Sequence, residues 1–216
     1  MGTVLDSPAV AAWLLERLGA QGTMAVVGNS PDLLTQGHGE LIDRHELVLR
    51  MNAGMPGPEH REALGERTDI LAVGNLTVLN EAPVGFQPGM VWFHKPSTRL
   101  GDREWAMLTS VGSVSDKHIP LHRLPPERYP ALAEEVGAPP SGGLFVVSEL
   151  LRHGLCGRLN LFGFSFFGAA GSRESWWHNE RPKARIMQSH PHKGSLELAW
   201  FKMKGLTDQK PGVYGL

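Results

Sequence analysis

The fold is decided by residues 24–31, which read Met-Ala-Val-Val-Gly-Asn-Ser-Pro. Four consecutive apolar residues predict a strand buried on both faces, and the glycine, asparagine and proline that follow predict a turn at its carboxyl end. Open parallel sheets bind nucleotides beyond the carboxyl ends of their strands. Residues 24–31 therefore predict both a strand of such a sheet and the edge at which a ligand binds.

Other short apolar runs predict the rest of the sheet, at residues 47–50, 70–73, 91–94 and 159–162. Asp6-Ser7-Pro8 is typical of a helix start, and the apolar pattern that follows predicts a helix that continues to Leu18 and is closed by Gly19 and Gly22. A second helical pattern covers Ser141 to His153. Strands that alternate with helices predict an α/β, Rossmann-like fold with a mostly parallel central sheet flanked by helices.

Length and loop composition indicate one domain, residues 1–216, since a chain of this size can bury a single sizeable core. The proline-rich patch from Leu124 to Pro130 and the glycines between Phe167 and Ser172 are expected to be surface loops. Neither loop separates two self-sufficient cores.

The charge composition is balanced, with 21 basic and 22 acidic side chains and a sequence pI of about 6.8. We therefore expect no nucleic acid partner and no attraction to anionic lipid. The apolar stretch at residues 8–15 is too short to span a bilayer, so no transmembrane segment is expected. Cys156, the single cysteine, excludes an internal disulfide and disfavours a structural zinc site. These features favour a cytoplasmic protein.

The turn after the first predicted strand differs from a dinucleotide-binding turn. That turn reads G-x-G-x-x-G, and an acidic residue about 20 positions later binds the ribose. Here the turn reads Gly28-Asn29-Ser30-Pro31, and the second strand ends in Arg50-Met51-Asn52. NAD and most adenosyl cofactors are therefore disfavoured, and a methyltransferase or dehydrogenase is a distant alternative.

The wider segment around these two turns resembles the large sialylmotif of the eukaryotic-type sialyltransferases. The resemblance covers Ala25–Ser30, Gly37-His38-Gly39, Ile42-Asp43, Val48–Asn52 and Gly65–Thr68. It implies a GT-A-variant glycosyltransferase fold, in which Asn29 and Asn52, with Ser30, bind the phosphate and nucleotide of a CMP-sugar donor. An amide suits this role because it donates hydrogen bonds without adding a charge that traps the product. The alternative is that both asparagines are ordinary turn and loop residues.

A second segment is similar to the small sialylmotif, from Pro140-Ser141-Gly142-Gly143 to Leu161-Phe162-Gly163-Phe164. Small residues that open a helix expose backbone N–H groups at its positive end, which favours anion binding. The resemblance implies that five residues contact the donor: Ser141, Gly142, Gly143, Gly163 and Phe164. The family usually has a second hydroxyl at the position of Gly142, so one contact is lost or made by backbone. The alternative is an ordinary Ser-capped helix.

The family's large and small motifs are normally joined by a disulfide. Cys156 matches the cysteine of the small motif, but Met24 stands where the other cysteine is expected. The bridge is therefore absent, which agrees with a cytoplasmic protein. Cys156 is expected to be a buried packing residue.

The segment Ser175-Trp176-Trp177-His178 resembles the family's short third motif. Ser175 replaces a histidine that often faces the phosphate, so Trp177 and His178 are predicted auxiliary residues, with His178 as the substitute donor. Alternatively, the two tryptophans close a core against a loop.

His192-Lys193-Gly194-Ser195-Leu196-Glu197 has the spacing of the very small sialylmotif. The resemblance makes His192 the candidate catalytic base, since an imidazole with an ordinary pKa of about 6.5 accepts a proton near neutral pH. Glu197 then orients this segment or caps its helix. A lone histidine is more often structural, and there are 10 histidines in the chain.

Together the four motifs predict an inverting glycosyltransferase that moves sialic acid from CMP-sialic acid to a glycan or glycolipid hydroxyl, without a cofactor. No D-x-D sequence occurs, so the reaction is expected to be metal-independent. Three basic residues are weak candidates for an acidic acceptor: Lys95, Lys183 and Arg185. Two alternatives remain open. One is a transferase for another CMP-activated acid sugar such as CMP-Kdo, and the other is a non-catalytic CMP-binding protein.

Overall fold

A parallel β-sheet forms the centre of the computed structural model, which describes residues 3–75, 78–79, 86–96, 99–111, 119–168, 192–206 and 213–214. Its strands are β1 (Met24–Val27), β2 (Leu47–Met51), β3 (Ile70–Val73), β4 (Met90–Phe93), β5 (Leu121–Arg123), β6 (Leu159–Phe162) and β7 (Val213–Tyr214). The helices are α1 (Ser7–Leu18), α2 (Gly39–Asp43), α3 (Arg61–Leu64), α4 (Arg99–Val111), α5 (Arg128–Val136), α6 (Gly142–Arg152) and α7 (Gly194–Met203). Short 3₁₀ turns occupy Pro31–Thr35, Pro58–His60 and Phe166–Gly168.

The strand order is β5-β4-β3-β2-β1-β6-β7, and each neighbouring pair is parallel. From β1 the chain adds β2 to β5 on one side and then crosses to the other side of β1 for β6. In register, Val27 of β1 lies opposite Arg50 of β2 and Phe162 of β6. The reversal places a topological switch point between β1 and β6, which is where open α/β sheets form ligand crevices.

Helices cover both faces of the sheet, because alternate strand residues point to opposite sides. Val26 and Leu49 pack in one cluster with residues of α1, α6 and α7. Ala25 and Val48 pack in another cluster, with Leu64 of α3 among their neighbours. The predicted α/β fold with a mostly parallel, helix-flanked sheet is confirmed.

Most predicted elements lie where the sequence places them. The predicted strands at 24–27, 70–73 and 159–162 match β1, β3 and β6, and the strands at 47–50 and 91–94 are each displaced or extended by one residue. The start of α1 is capped by Asp6, whose Oδ1 accepts a hydrogen bond from the Ala9 N–H at 2.9 Å.

Two predictions differ from the structure, one of a surface loop and one of a buried cysteine. Only residues 125–127 of the expected loop from Leu124 to Pro130 form a partly exposed turn, because Leu124 is completely buried in the core and α5 begins at Arg128. The preceding strand, β5, was not predicted because His122 and Arg123 interrupt its apolar pattern. Cys156 is exposed and not buried, since Leu155 before it occupies the core position in the turn between α6 and β6.

None of the helices in the described ranges combines the length and the apolar character needed to cross a bilayer.

A completely buried guanidinium, that of Arg50 in β2, joins the sheet to the segment after α3. Its Nε donates to the Arg67 carbonyl at 2.8 Å and its Nη2 donates to the Leu64 carbonyl at 2.6 Å. Burial lowers the pKa of Arg50 to about 10, so the side chain stays charged near neutral pH. These bonds fix the segment that follows α3 against the strand that ends in Asn52.

We expect Arg50→Met to lower the free energy of unfolding by about 2 kcal/mol or more, because two carbonyls lose their donors at about 1–3 kcal/mol each. Urea unfolding followed by circular dichroism measures this difference. The control is Arg44→Met, which removes an exposed ion pair with Glu40 and is expected to change stability by about 0.5 kcal/mol or less. Equal effects of the two substitutions contradict the role of Arg50.

Candidate functional site

Polar and glycine residues follow four strands at one edge of the sheet. Asn29 follows β1, Asn52 follows β2, His94 follows β4 and Gly163 follows β6. Because the carboxyl ends of parallel strands meet at a single edge, these residues lie on the same side of the molecule as the switch point.

Asn29 links the turns after β1 and β2. Its Nδ2 donates to the Met51 carbonyl at 3.0 Å. Its Oδ1 is buried and has no hydrogen-bond partner among the described residues. A β-carbon at Gly54 would lie 2.3 Å from this oxygen, so glycine is required there for the close approach. Asn29 thus retains an unused acceptor at the switch point.

Asn52 links the ends of β2 and β3. Its backbone is left-handed, with φ +51°, a conformation that asparagine tolerates better than most residues. Its Oδ1 accepts a hydrogen bond from the Gly74 N–H at 2.9 Å. This bond orients the amide and directs Nδ2 away from Gly74. The NH2 group of Asn52 is therefore the part of the side chain that can donate to a ligand.

The turns after β1 and β6 touch through their backbones. The Ser30 N–H donates to the Gly163 carbonyl at 3.1 Å, and a β-carbon at Gly28 would lie 2.3 Å from that oxygen. The Ser30 hydroxyl donates to Asp32 Oδ2 at 3.1 Å and caps the 3₁₀ turn, while its side chain is almost fully buried. Ser30 was predicted to contact the donor, but the structure shows its hydroxyl already bound to Asp32.

The start of α6 lies directly against this edge. A β-carbon at Gly143 would lie 3.3 Å from the Phe164 ring and 3.5 Å from Met51 Sδ. A β-carbon at Gly142 would lie 2.3 Å from Cε1 of His94. The two glycines therefore allow the positive end of α6 to approach the ends of β2, β4 and β6. Unpaired backbone N–H groups in a first helical turn form an anion-binding site.

Phe164 is mainly a core residue. It is 9% exposed and packs against Phe166 and Phe201 at ring-centroid distances of 6.3 and 5.6 Å. Its contact with Gly143 supports the end of α6. The predicted role of Phe164 in donor contact is thus confined to the edge of its ring.

A buried carboxyl group holds Ser141 at the start of α6. Glu197 of α7 accepts hydrogen bonds from the Ser141 N–H and from its Oγ–H, both at 2.7 Å. Ser141 Oγ also accepts from the Leu144 N–H at 3.2 Å as the helix cap. Glu197 was predicted to orient its segment or cap a helix, and in the structure it fixes the residue that caps α6. Ser141 was expected to donate a hydrogen bond to a ligand, but in the structure its hydroxyl donates a hydrogen bond to Glu197.

His192 lies beside the same loop. Its Nδ1 is 2.8 Å from the Pro139 carbonyl, which can only accept a hydrogen bond, so we assign the ring proton to Nδ1. The ring also stacks on Phe167, with centroids 5.7 Å apart. Burial lowers the pKa of His192, and the bond to Pro139 opposes that change. His192 is therefore neutral near pH 7 with a lone pair on Nε2.

His94 was not predicted as a site residue. It directly follows β4, is 8% exposed and contacts both Gly74 and Gly142. The sequence signal for it is its position at the end of a predicted strand, a position that it shares with Asn29 and Asn52. The sequence did not identify His94 as a site residue, because a histidine that follows an apolar run resembles a core residue.

Several predicted residues lie outside the described residues: Ser175, Trp177, His178, Lys183 and Arg185. Lys95 pairs with Glu104, with Nζ 2.8 Å from Oε1. Among the residues that the structure describes, no group of three His, Cys, Asp or Glu side chains has the arrangement needed to hold a metal ion.

Comparisons with known proteins find similarity to sialyltransferases. The family model described as glycosyltransferase family 29 (sialyltransferase) matches residues 19–88. The mouse CMP-N-acetylneuraminate-beta-galactosamide-alpha-2,3-sialyltransferase 2 is 27% identical over 192 residues, which cover 80% of this chain and 51% of the mouse protein. Sialyltransferase-like protein 3 of Oryza sativa subsp. indica is 49% identical over 61 residues, which cover 28% of this chain and 16% of that protein.

The chain is thus similar to sialyltransferases. The matched residues 19–88 contain both asparagine turns, after β1 and after β2. The chain spans about half the length of the mouse relative that it matches.

Solved structures show the same fold. A crystal structure of a mammalian sialyltransferase aligns with this chain at a TM-score of 0.58 and 20% identity, covering 96% of this chain and 78% of that chain. Another, in complex with Gal-beta-1-3GalNAc-ortho-nitrophenol, aligns at a TM-score of 0.57 and 18% identity.

The buried carboxyl group of Glu197 is expected to make the stability of the protein depend on pH. Burial raises its pKa to about 7, and the bonds from Ser141 oppose that change. Between about pH 4.5 and pH 7 the unfolded chain carries the charge while the folded chain keeps the proton, so stability falls as pH rises through this window. We expect Glu197→Gln to remove this fall, which amounts to about 3 kcal/mol. Urea unfolding of wild type and Glu197→Gln across this pH range measures the difference in their free energies of unfolding. Contributions of the other titrating groups are the same in both proteins and cancel in this difference.

The control is Glu135→Gln, since hydrogen bonds from Lys204 lower the pKa of Glu135 and place its titration below this window. A constant stability difference between wild type and Glu197→Gln over the window contradicts the assignment of Glu197 as a protonated buried acid.

Proposed function

We propose that this protein is an inverting, metal-independent glycosyltransferase that moves sialic acid from CMP-sialic acid to the hydroxyl of a glycan or glycolipid. The observation that carries the proposal is the contact of the α6 N-terminus with the strand ends beside the switch point, with His192 bound to the loop that precedes α6. The name of the mouse relative supports the donor and the class of reaction. The shared fold supports a GT-A-variant architecture.

Donor binding is assigned to neutral hydrogen-bond donors. We assign this role to the N–H groups of Gly142 and Gly143 and to the amide of Asn52, all at the carboxyl edge of the sheet. Asn29 adds a buried acceptor, Oδ1, which suits a hydroxyl or amino group of the nucleoside. These groups are held by hydrogen bonds and close packing before a ligand arrives. Such preorganised donors stabilise the charge that grows on phosphate as the glycosidic bond breaks.

The proposed chemical step is a single displacement. The acceptor oxygen forms a bond to the anomeric carbon as the bond from that carbon to the phosphate oxygen breaks, and CMP leaves with the electron pair. The hydroxyl proton moves to Nε2 of His192, whose lone pair is set by the bond from Nδ1 to Pro139. Attack from the face opposite the leaving group inverts the anomeric centre.

The chemistry of the leaving group supports metal independence. A nucleoside monophosphate is a stable anion, and the positive end of α6 supplies the electrostatic stabilisation that diphosphate donors usually obtain from a metal held by D-x-D. The exposed thiol of Cys156 supports a cytoplasmic location, where thiols stay reduced.

The runner-up is a CMP-binding protein of the same fold without turnover. It is favoured by the internal bonds of the Ser30 and Ser141 hydroxyls, which are not directed toward a ligand. Transfer from another CMP-activated acid sugar, such as CMP-Kdo, keeps the same site, so a panel of CMP-sugars separates the donors.

Asn52→Asp tests donor binding. The substitution keeps the acceptor for the Gly74 N–H but replaces the NH2 donor with an anion facing phosphate. We expect the Kd for CMP to rise about 10-fold or more, as expected for the loss of a hydrogen bond to a charged group. Isothermal titration calorimetry measures it. Gln21→Glu, which adds the same charge before β1 at the opposite edge, is expected to leave the Kd unchanged. Equal Kd values for wild type and Asn52→Asp rule out this contact.

His192→Asn tests the base. The asparagine amide can still donate to the Pro139 carbonyl but cannot take a proton. We expect kcat for CMP release from CMP-sialic acid in the presence of acceptor to fall by about 10²–10⁴-fold, the usual contribution of a general base, with an unchanged Kd for CMP.

The matched control is His153→Asn at the opposite end of α6, about 16 Å along the helix from Gly142, which is expected to keep activity. If wild type binds CMP and releases none from any CMP-sugar, the binding-protein alternative is correct. If His192→Asn retains full activity, another group is the base.

A further inference from the structure

His94 is a buried polar side chain that the proposed mechanism does not use. Its ring lies between two glycines at the carboxyl edge of the sheet. Cε1 of His94 would lie 2.6 Å from a β-carbon at Gly74 and 2.3 Å from one at Gly142. Real β-carbons essentially never approach so closely, so both positions must be glycine while the imidazole is present.

The ring has unused hydrogen-bonding capacity. Nε2 of His94 is buried and has no hydrogen-bond partner among the described residues. An unpaired buried polar group costs about 1–3 kcal/mol, so such a group is expected to have a partner that the described residues do not supply. Burial lowers the pKa of His94 to about 4, and the adjacent Lys95 contributes in the same direction. The imidazole is therefore neutral near pH 7, and in the tautomer that carries the ring proton on Nε2 it can donate one hydrogen bond from that nitrogen.

The position of Nε2 indicates the chemistry of the missing partner. It lies 3.0 Å from the place of a β-carbon on Gly142, the first residue of α6. The first N–H groups of this helix and the positive end of its dipole favour a negative charge at the helix start, so an anion is the favoured partner.

We propose that Nε2–H of His94 donates a hydrogen bond to the phosphate of the CMP donor, beside the N–H groups of Gly142 and Gly143. The imidazole then serves as the side-chain donor at the start of α6. The ring also leaves no room for a side chain on residue 142. This inference rests on the proposed function, since it assigns a further binding residue to the same donor site. It also explains why residue 142 is glycine, since the ring of His94 occupies the space that a side chain there would need.

A matched pair of substitutions at position 94 tests the proposal. Leucine fills a similar volume without a donor, whereas glutamine places an amide N–H near the position of Nε2. We expect His94→Leu to raise the Kd for CMP about 10- to 100-fold and His94→Gln to bind CMP within about 3-fold of wild type. Cytidine lacks the phosphate, so its Kd is expected to be the same for all three proteins. Calorimetry measures both ligands, and thermal unfolding verifies that each variant is folded.

Several outcomes overturn the inference. Equal CMP affinity of wild type and His94→Leu shows that His94 does not contact the phosphate. A parallel loss of affinity for CMP and cytidine shows a merely structural role. Failure of the proposed function is distinct, because wild type itself then shows no CMP binding.

A second experiment remains informative if His94→Leu does not fold. The double substitution His94→Ala with Gly142→Ser removes the ring and places a hydroxyl donor in the vacated space. We expect the double variant to bind CMP at least about 10-fold more tightly than Gly142→Ser alone, in which the serine and the imidazole collide. Additive effects of the two substitutions on CMP affinity contradict the proposal.

Discussion

The close contact between the N-terminus of α6 and the carboxyl ends of β2, β4 and β6 is the constraint on which the site depends. It exists because residues 142 and 143 have no side chains, and a β-carbon at Gly142 would lie 2.3 Å from His94. The contact brings backbone N–H groups to the switch point between β1 and β6. Met51, His94 and Phe164 are the neighbours that the two glycines allow the helix end to approach.

Two elements distant in sequence hold this arrangement. Glu197 of α7 binds both the N–H and the hydroxyl of Ser141, and His192 donates to Pro139. The same short segment thus fixes the start of α6 and brings the candidate base to it. On the sheet side, Asn29 and Asn52 tie neighbouring strand turns together through Met51 and Gly74. The polar side chains of the site therefore also cross-link the elements that carry them, which holds the site in place.

The sequence was informative where a pattern is local. The apolar runs predicted the core strands, and Asp6 with Pro8 predicted the start of α1. It failed where long-range packing decides the outcome. Leu124 is buried because β5 carries it into the core, and Cys156 is exposed because Leu155 takes the buried position. The hydroxyls of Ser30 and Ser141 looked available in sequence, but each is bound to a carboxyl group that sequence patterns do not reveal as a partner.

By itself the sequence determined the class of fold, the two asparagine turns and the order of the motifs, because strand periodicity and turn chemistry act over a few residues. Only the tertiary structure decided which groups meet. The partnership of Glu197 with Ser141, 56 residues apart, and the placement of His94 against Gly142 follow from the crossing of the chain to the far side of β1. Contacts of this kind depend on packing between elements, which no local pattern specifies.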